Sequence, residues 1–176
     1  MPCEIRLRRR VNFYETDAAG LVHFSWFFRY MEEAEHALWR EAGLSIHARD
    51  GEFGFPRVSA SFDFHRALRF EQEFDVLLRV TAMSKKTIRY TCLLLDGETK
   101  IATGTLIVAC VRRRPHEPMA SVEIPPEIAA RLQVAPDSST ASASSGSTVS
   151  GVERSTSSGR PEPLAEPEQA SDDVQA

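Results

Sequence analysis

The sequence contains no long apolar run. Nothing in its 176 residues approaches the ~18 apolar positions of a membrane-spanning helix, and no membrane partner is expected. Cysteine is sparse too. Cys3, Cys92 and Cys110 are widely spaced, form no CxxC pair and have no histidine at metal-ligand spacing, which argues against a disulfide framework and against a bound metal. Basic charge is not in excess, since 21 Lys and Arg stand against 25 Asp and Glu, so a duplex nucleic-acid partner is not expected. The stretch from Met1 to Arg10 is basic, but no apolar segment follows it. No secretory signal is therefore expected, and a reduced, cytoplasmic setting is the expectation.

The charge that is present lies unevenly. Residues 135–176 carry seven acids and two bases, which leaves residues 1–134 with 18 acids and 19 bases, close to neutral. The same 135–176 stretch is dominated by Ser, Ala, Thr, Gly, Pro and Glu, with no aromatic residue and no Ile. Only Val149, Val152, Leu164 and Val174 offer an appreciable side chain to bury, too few to offset a backbone ordering cost of about 1–2 kcal/mol per residue. The expected organisation is one folded domain over 1–134 and a disordered tail over 135–176, with the composition of a solubilising or partner-binding segment.

Within 1–134 the hydrophobic period changes once. Residues 4–13 alternate through Ile5, Leu7, Val11 and Phe13, as a half-buried strand does. From Trp26 to Ala42 the apolar residues Trp26, Phe27, Tyr30, Met31, Ala34, Ala37 and Leu38 recur at three- and four-residue steps, with Glu32, Glu33, Glu35 and Arg40 mostly opposite, which predicts one long amphipathic helix. Ser25 is the expected N-cap and Gly43 the C-terminal stop. After a loop containing Gly51, Gly54 and Pro56 the period becomes two: Val58–Phe64, Phe74–Val80, Ile88–Leu94 and a long last strand Ile101–Val111, with turns at Ser84-Lys85-Lys86 and Asp96-Gly97. Pro125-Pro126 then opens a short helix over Glu127–Leu132. The expected class is α+β, an antiparallel sheet around one long helix.

The segment Tyr14-Glu15-Thr16-Asp17-Ala18-Ala19-Gly20-Leu21-Val22-His23-Phe24-Ser25, lying between a strand and that helix, resembles the active-site loop of the 4-hydroxybenzoyl-CoA thioesterase family. Asp17, Gly20, the aliphatic pair and His23-Phe24 fall on that family's pattern; Arg29-Tyr30-Met31-Glu32 and Glu123-Ile124-Pro125-Pro126-Glu127 match it further on, so the resemblance spans residues 3 to about 132. It implies the hotdog fold, an acyl-CoA substrate, no metal or organic cofactor, and a homodimer or homotetramer with its active site at a subunit interface. It also implies that Asp17 is the catalytic carboxylate and that the backbone N–H near Phe24 binds the oxyanion.

The chemistry agrees with that assignment. Thioester hydrolysis needs a group to attack the carbonyl or to activate water, which a carboxylate can do. It also needs donors for the developing oxyanion, which a helix N-terminus supplies. Taken alone, Asp17 is equally a loop carboxylate that caps a turn, Gly20 a turn glycine, and His23 either an assisting base or a packing residue. Lys85 and Lys86 are candidates for contacting the CoA phosphates, against a reading as turn charges; Arg89 and the Arg112–Arg114 run read more simply as strand-edge charges. Trp26, Phe27, Tyr30, Phe62 and Phe64 are either acyl pocket or core, and His36 and His65 read as structural or solvent-facing. Two other readings stay open: a non-catalytic acyl-CoA or acyl-carrier-protein binding module, and a hotdog hydratase or dehydratase that pairs Asp17 with His23.

Overall fold

The computed structural model describes residues 1–46, 52–113 and 118–136. Gly51, Arg114 and the expected tail beyond Pro136 lie outside the described residues, and everything below concerns the unit Met1–Ser138.

Alternation produces the first strand, β1 (Glu4–Arg10), with Ile5, Leu7 and Arg9 turned inward and the residues between them exposed. It ends three residues earlier than the alternation predicts. Val11 is buried, but Asn12 opens a single 3₁₀ turn over Phe13–Glu15, which carries Phe13 into solvent and Glu15 into the interior. The long helix α1 (Phe24–Glu41) buries Phe27, Tyr30, Met31, Ala34 and Leu38, one stripe of an amphipathic helix. His23, not Ser25, is its N-cap: the His23 backbone is extended, and its ring nitrogen accepts from the Ser25 N–H two residues on. At the other end Gly43 adopts φ +69°, the Leu44 N–H bonds the Trp39 carbonyl at 2.8 Å and the Gly43 N–H bonds Arg40 at 2.9 Å. This is a Schellman stop, as the glycine predicts.

The remaining elements are β2 (Phe53–Gly54), β3 (Arg57–Phe64), β4 (Glu73–Met83), β5 (Thr87–Asp96), β6 (Thr99–Ala109), β7 (Val111–Arg112), β8 (Ala120–Ser121) and a one-turn helix α2 (Pro126–Ala129). Five strands form an antiparallel sheet in the order β1-β4-β5-β6-β3, and β2-β7-β8 form a smaller one. The single strand predicted over 101–111 breaks at Cys110. The Cys110 N–H bonds Lys86 at 2.8 Å, while its carbonyl receives Val122 at 3.0 Å, so the chain passes there from the large sheet to the small one. The last helix is shorter than predicted, and Leu132 is buried beyond its end.

Helix α1 packs on β4, β1 and β3, which is the hotdog arrangement of one long helix held by an antiparallel sheet. Phe74, Val76, Leu78, Val80, Ile88, Tyr90 and Leu94 form the floor beneath it. The Trp39 indole donates to the Tyr90 hydroxyl at 3.0 Å inside this core. Phe62 lies over Gly104, its register partner on β6, so closely that a Cβ at 104 would sit 2.5 Å from the ring. Cys92 is fully buried, and burial pushes its thiol up to about 12.

The outermost strand departs from its alternation. Nearly all of β3 is exposed, including Val58 at 60% and Phe64 at 50%, because this edge strand has only β6 as a neighbour and α1 covers it only in part. An apolar, unpaired strand edge of this length is a template for pairing with a second chain. The opposite edge, β1, is lined with charge: Arg6, Arg8 and Arg10 pair across to Asp75 and Glu73 on β4.

Candidate active site

Asp17 sits in a miniature hairpin. Thr16 and Val22 form an antiparallel bridge, the Asp17 N–H bonds the Leu21 carbonyl at 2.8 Å, and the Gly20 N–H bonds the Asp17 carbonyl at 3.0 Å. One carboxylate oxygen, Oδ1, accepts from the Ala19 N–H at 2.8 Å and from the Leu21 N–H at 3.2 Å. The turn-capping role expected of an isolated loop aspartate is therefore present. It occupies one oxygen, and Oδ2 has no partner among the described residues. Gly20 supplies the backbone conformation that closes the turn, with φ +71° and open space around it.

The hairpin is fixed on two sides. The Val22 N–H bonds the Leu68 carbonyl at 2.9 Å and Leu21 bridges Arg69, which ties the loop to the connection between β3 and β4. The His23 N–H bonds the Glu15 carbonyl at 2.9 Å, which ties the start of α1 to the residue two before Asp17. Glu15 itself is fully buried. Its Oε2 accepts from the Asn12 N–H at 2.7 Å and its Oε1 from Arg9 at 3.1 Å. The Asn12-to-Glu15 spacing is that of a capping box, a signal in the sequence that could have singled out Glu15.

At the helix start, the Ser25 N–H is directed at His23 Nδ1 and the Trp26 N–H bonds the His23 carbonyl at 2.9 Å. The Phe24 N–H has no acceptor among the described residues. No acidic side chain stands in the first turn of α1, so the positive end of the helix is left to whatever occupies the space before it.

That space is an open cleft of about 410 Å³. Leu21, Val22, Phe24, Phe27, Phe64 and Leu68 give it apolar walls, and Asp17, His23, His65 and Arg66 are its polar members. Three of the expected site residues, Asp17, His23 and Phe24, are thus brought together. Gly20 is not part of the cleft lining; it shapes the loop from outside. Lys85 and Lys86 are not there either. They occupy the β4–β5 turn, at the end of the sheet where Arg57 begins β3, whereas the cleft lies at the Phe64 end, roughly 23 Å along the strand. Lys85 pairs with Glu123 at 3.6 Å, both side chains being exposed.

His65, expected to be structural or solvent-facing, faces this cleft. Its Nε2 contacts Thr103 Oγ1 at 3.1 Å, and the N–H groups of His65 and Arg66 both bond the Ile101 carbonyl. Sequence alone does not single out His65 and Arg66, because nothing in a strand-ending Phe-His-Arg-Ala says which way it faces. The five aromatics divide. Phe27 and Phe64 line the cleft in edge-to-face contact at 4.9 Å, whereas Tyr30 is core, Trp26 is half-buried, and Phe62 packs behind Phe27 and Phe28.

The helix acids are not simply a solvated face. Glu35 is fully buried, pairs with Arg57 at 2.7 Å, and burial pushes its carboxyl up to about 7. His36, half-buried beside it, is pushed down by the same cause. Among the described residues no group of His, Cys, Asp and Glu side chains could hold a metal, and no helix is long and apolar enough to cross a membrane.

Residues 11–132 match the model of the thioesterase-like superfamily. A 1,4-dihydroxy-2-naphthoyl-CoA hydrolase of Synechococcus elongatus is 24% identical over 117 residues, which cover 65% of this chain and 86% of that protein. Among solved structures, a hypothetical protein of Aquifex aeolicus superposes with a TM-score of 0.68 at 29% identity, over 73% of this chain and 99% of its own. A gentisyl-coenzyme A thioesterase superposes with a TM-score of 0.64 at 25% identity, over 71% and 99%. The helix start, the aspartate hairpin and the cleft between them all lie within the matched residues, and the chain belongs to the thioesterase-like superfamily.

Proposed function

We propose that the protein hydrolyses an acyl-CoA thioester to the free acid and CoA, with Asp17 as the catalytic carboxylate. The observation that carries this reading is a shared cleft: a carboxylate with one oxygen unengaged and a helix N-terminus with an unengaged N–H border one apolar-walled space. A thioester carbonyl placed between them meets Asp17 on one side. Asp17 either attacks the carbonyl carbon or takes a proton from the attacking water, while the Phe24 N–H and the helix dipole stabilise the oxyanion. Collapse of the tetrahedral species breaks the C–S bond, and the thiolate leaves without needing a strong acid. The water route gives the free acid at once, whereas direct attack leaves an anhydride on Asp17 that a water molecule then hydrolyses to the acid and the free carboxylate. The phenylalanine walls and the named substrates of the relatives support an aromatic acyl group, and the Asp17 loop supports the 4-hydroxybenzoyl-CoA thioesterase branch.

The reading includes a homodimer. Two β3 edges paired antiparallel about a two-fold axis would cover Val58 and Phe64 and would set the Arg57 end of one strand beside the Phe64 end of the other. Lys85 and Lys86 of the partner subunit would then stand at the mouth of the Asp17 cleft, where CoA phosphates need positive charge.

The test is thiol release from a panel of aromatic, short-chain and long-chain acyl-CoAs. Wild type should turn over at least one. Asp17→Asn, which keeps an oxygen to cap the hairpin, should lose roughly 10²–10⁴-fold in kcat with the fold intact. Binding without turnover would instead make the protein a carrier module. Hydration of an enoyl-CoA with no thiol released would make it a hydratase using Asp17 and His23.

A further inference from the structure

We infer that Glu15 is a positioning residue, whose buried carboxylate sets the separation between the Asp17 carboxylate and the Phe24 N–H; the inference rests on the thioesterase reading above. Glu15 touches neither group, yet its backbone is joined to the residue before one and lies two residues before the other. Its carbonyl holds the His23 N–H at 2.9 Å, and the next N–H along the chain is that of Phe24. Two residues on in the other direction is Asp17, and the Thr16–Val22 bridge lies between. Displacing Glu15 therefore moves the nucleophile loop and the helix start relative to each other.

The side chain is what resists that displacement. It is fully buried, so its carboxylate gives up water and depends on the partners it finds. Both oxygens are engaged, one by the Asn12 N–H at 2.7 Å and the other by Arg9 at 3.1 Å. Arg9 is the one inward-facing arginine of β1, and it also pairs with Glu33 on α1 and lies over the Tyr30 ring at 5.0 Å. The carboxylate thus joins three elements: strand β1 through Arg9, the 3₁₀ turn through Asn12, and helix α1 through the groups that Arg9 holds. A surface ion pair would be worth little here, but losing one partner of a buried, hydrogen-bonded pair leaves a charge uncompensated and lets the loop shift. Catalytic geometry tolerates such shifts poorly, since a misplacement of about 1 Å costs on the order of a hundredfold in rate.

The experiment compares Glu15→Gln, Glu15→Ala, Glu4→Gln and Asp17→Asn with wild type, on whichever acyl-CoA wild type hydrolyses. The amide introduced by Glu15→Gln still accepts from Asn12 but loses the charge facing Arg9, so kcat should fall by roughly fivefold. Glu15→Ala should lower kcat by roughly thirtyfold or more. KM should stay within about twofold in both, because no cleft contact is removed. Glu4→Gln removes a β1 ion pair with Arg79 that lies outside this network and should leave kcat unchanged. Hydrogen exchange should rise at the amides of Asp17, Val22 and His23 in the Glu15 variants and stay constant in the β4–β6 core.

Wild-type kcat in Glu15→Gln, or a fall in thermal stability with kcat and loop exchange unchanged, overturns the inference. Glu15→Gln also serves as the test if Glu15→Ala fails to fold. A dead Asp17→Asn beside a fully active Glu15→Gln would sink the positioning role alone, whereas a wild type that hydrolyses no thioester sinks the functional reading with it.

Discussion

Arg57, the first residue of the edge strand, reaches across to Glu35 on the long helix, with Nη2 2.7 Å from the buried carboxylate and 3.0 Å from Glu32. The other Glu35 oxygen is buried without a partner among the described residues, so one arginine shared between two acids does not repay the desolvation of this one. Burial accordingly outweighs Arg57 and pushes the Glu35 carboxyl from 4.5 to about 7, with Glu32 adding to the rise.

This shift has a defined consequence for stability. Between pH 4.5 and about 7 the folded protein holds a proton on Glu35 that the unfolded chain has released. The stabilisation is therefore complete below pH 4.5 and is lost as pH rises through 7. Its size is at most about 3 kcal/mol. The other groups around the site, Arg57, Glu32, His36 and Tyr90, act through the same cluster. Urea unfolding at pH 5 and pH 8 should show the loss in wild type, and Glu35→Gln should flatten it while raising stability at pH 8. Equal slopes in the two proteins would assign the pH dependence elsewhere.

Gly20 separates two roles that look alike in sequence. As a substrate contact it would affect KM; as a turn residue at φ +71° with open space around it, it would affect the placement of Asp17. The structure favours the second. Gly20→Ala should fold, with a local strain of about 1 kcal/mol, and should lower kcat with little change in KM. Gly20→Asn should recover much of the activity, because Asn tolerates the left-handed region better. A KM effect with normal kcat would restore the substrate-contact reading.

Much of this is legible in the chain and some is not, for reasons that individual residues make plain. The helix can be read because Phe27, Tyr30, Met31, Ala34 and Leu38 repeat on one face, and the α+β class follows from a single change of period, whereas the hotdog fold is legible only through the resemblance of the Asp17 loop. The N-cap departs from expectation because Ser25 is the commoner capping residue, while His23 caps through a ring nitrogen and the extended backbone that the Glu15 carbonyl holds in place. Periodicity also fails at β3. An alternating strand predicts one covered face, but at a sheet edge the cover must come from beyond the chain. The burial of Glu35 is not legible because its helical position is ambiguous between faces; it follows from the sheet beneath, which no local pattern encodes.

The end of the folded body can be located by truncation. Leu132 is buried, the Gln133 N–H bonds the Pro2 carbonyl at 3.2 Å, and the Ala135 N–H bonds Val80 at 2.8 Å. We expect removal of residues 137–176 to leave turnover and thermal midpoint unchanged. Removal from Arg131 onward exposes the Leu132 site and leaves the Pro2 and Val80 carbonyls without these donors, and should destabilise by about 2–4 kcal/mol. Loss of soluble protein on removing only 137–176 would contradict the assignment of that stretch as a dispensable tail.

Lys85 and Lys86 provide the sharpest test of the proposed dimer, because a single chain keeps them at the opposite end of the sheet from the Asp17 cleft, which lies roughly 23 Å along β3. If they serve the cleft of the opposite protomer, their ligands are phosphates, and their contribution is that of exposed ion pairs, up to about 1 kcal/mol each. Lys85→Ala and Lys86→Ala should then raise KM for an acyl-CoA by roughly two- to fivefold each while leaving kcat alone. The same variants should be indifferent toward the corresponding N-acetylcysteamine thioester, which carries the acyl group and the sulfur but no phosphate. Added salt should raise KM in wild type more than in the double variant, since it screens the same attraction. Mixing a Lys85→Ala/Lys86→Ala protomer with an Asp17→Asn protomer decides between cis and trans. In trans, the hybrid's intact aspartate faces the intact lysines of the partner subunit and acts with wild-type KM. In cis, every active cleft in the mixture keeps the raised KM of the lysine variant.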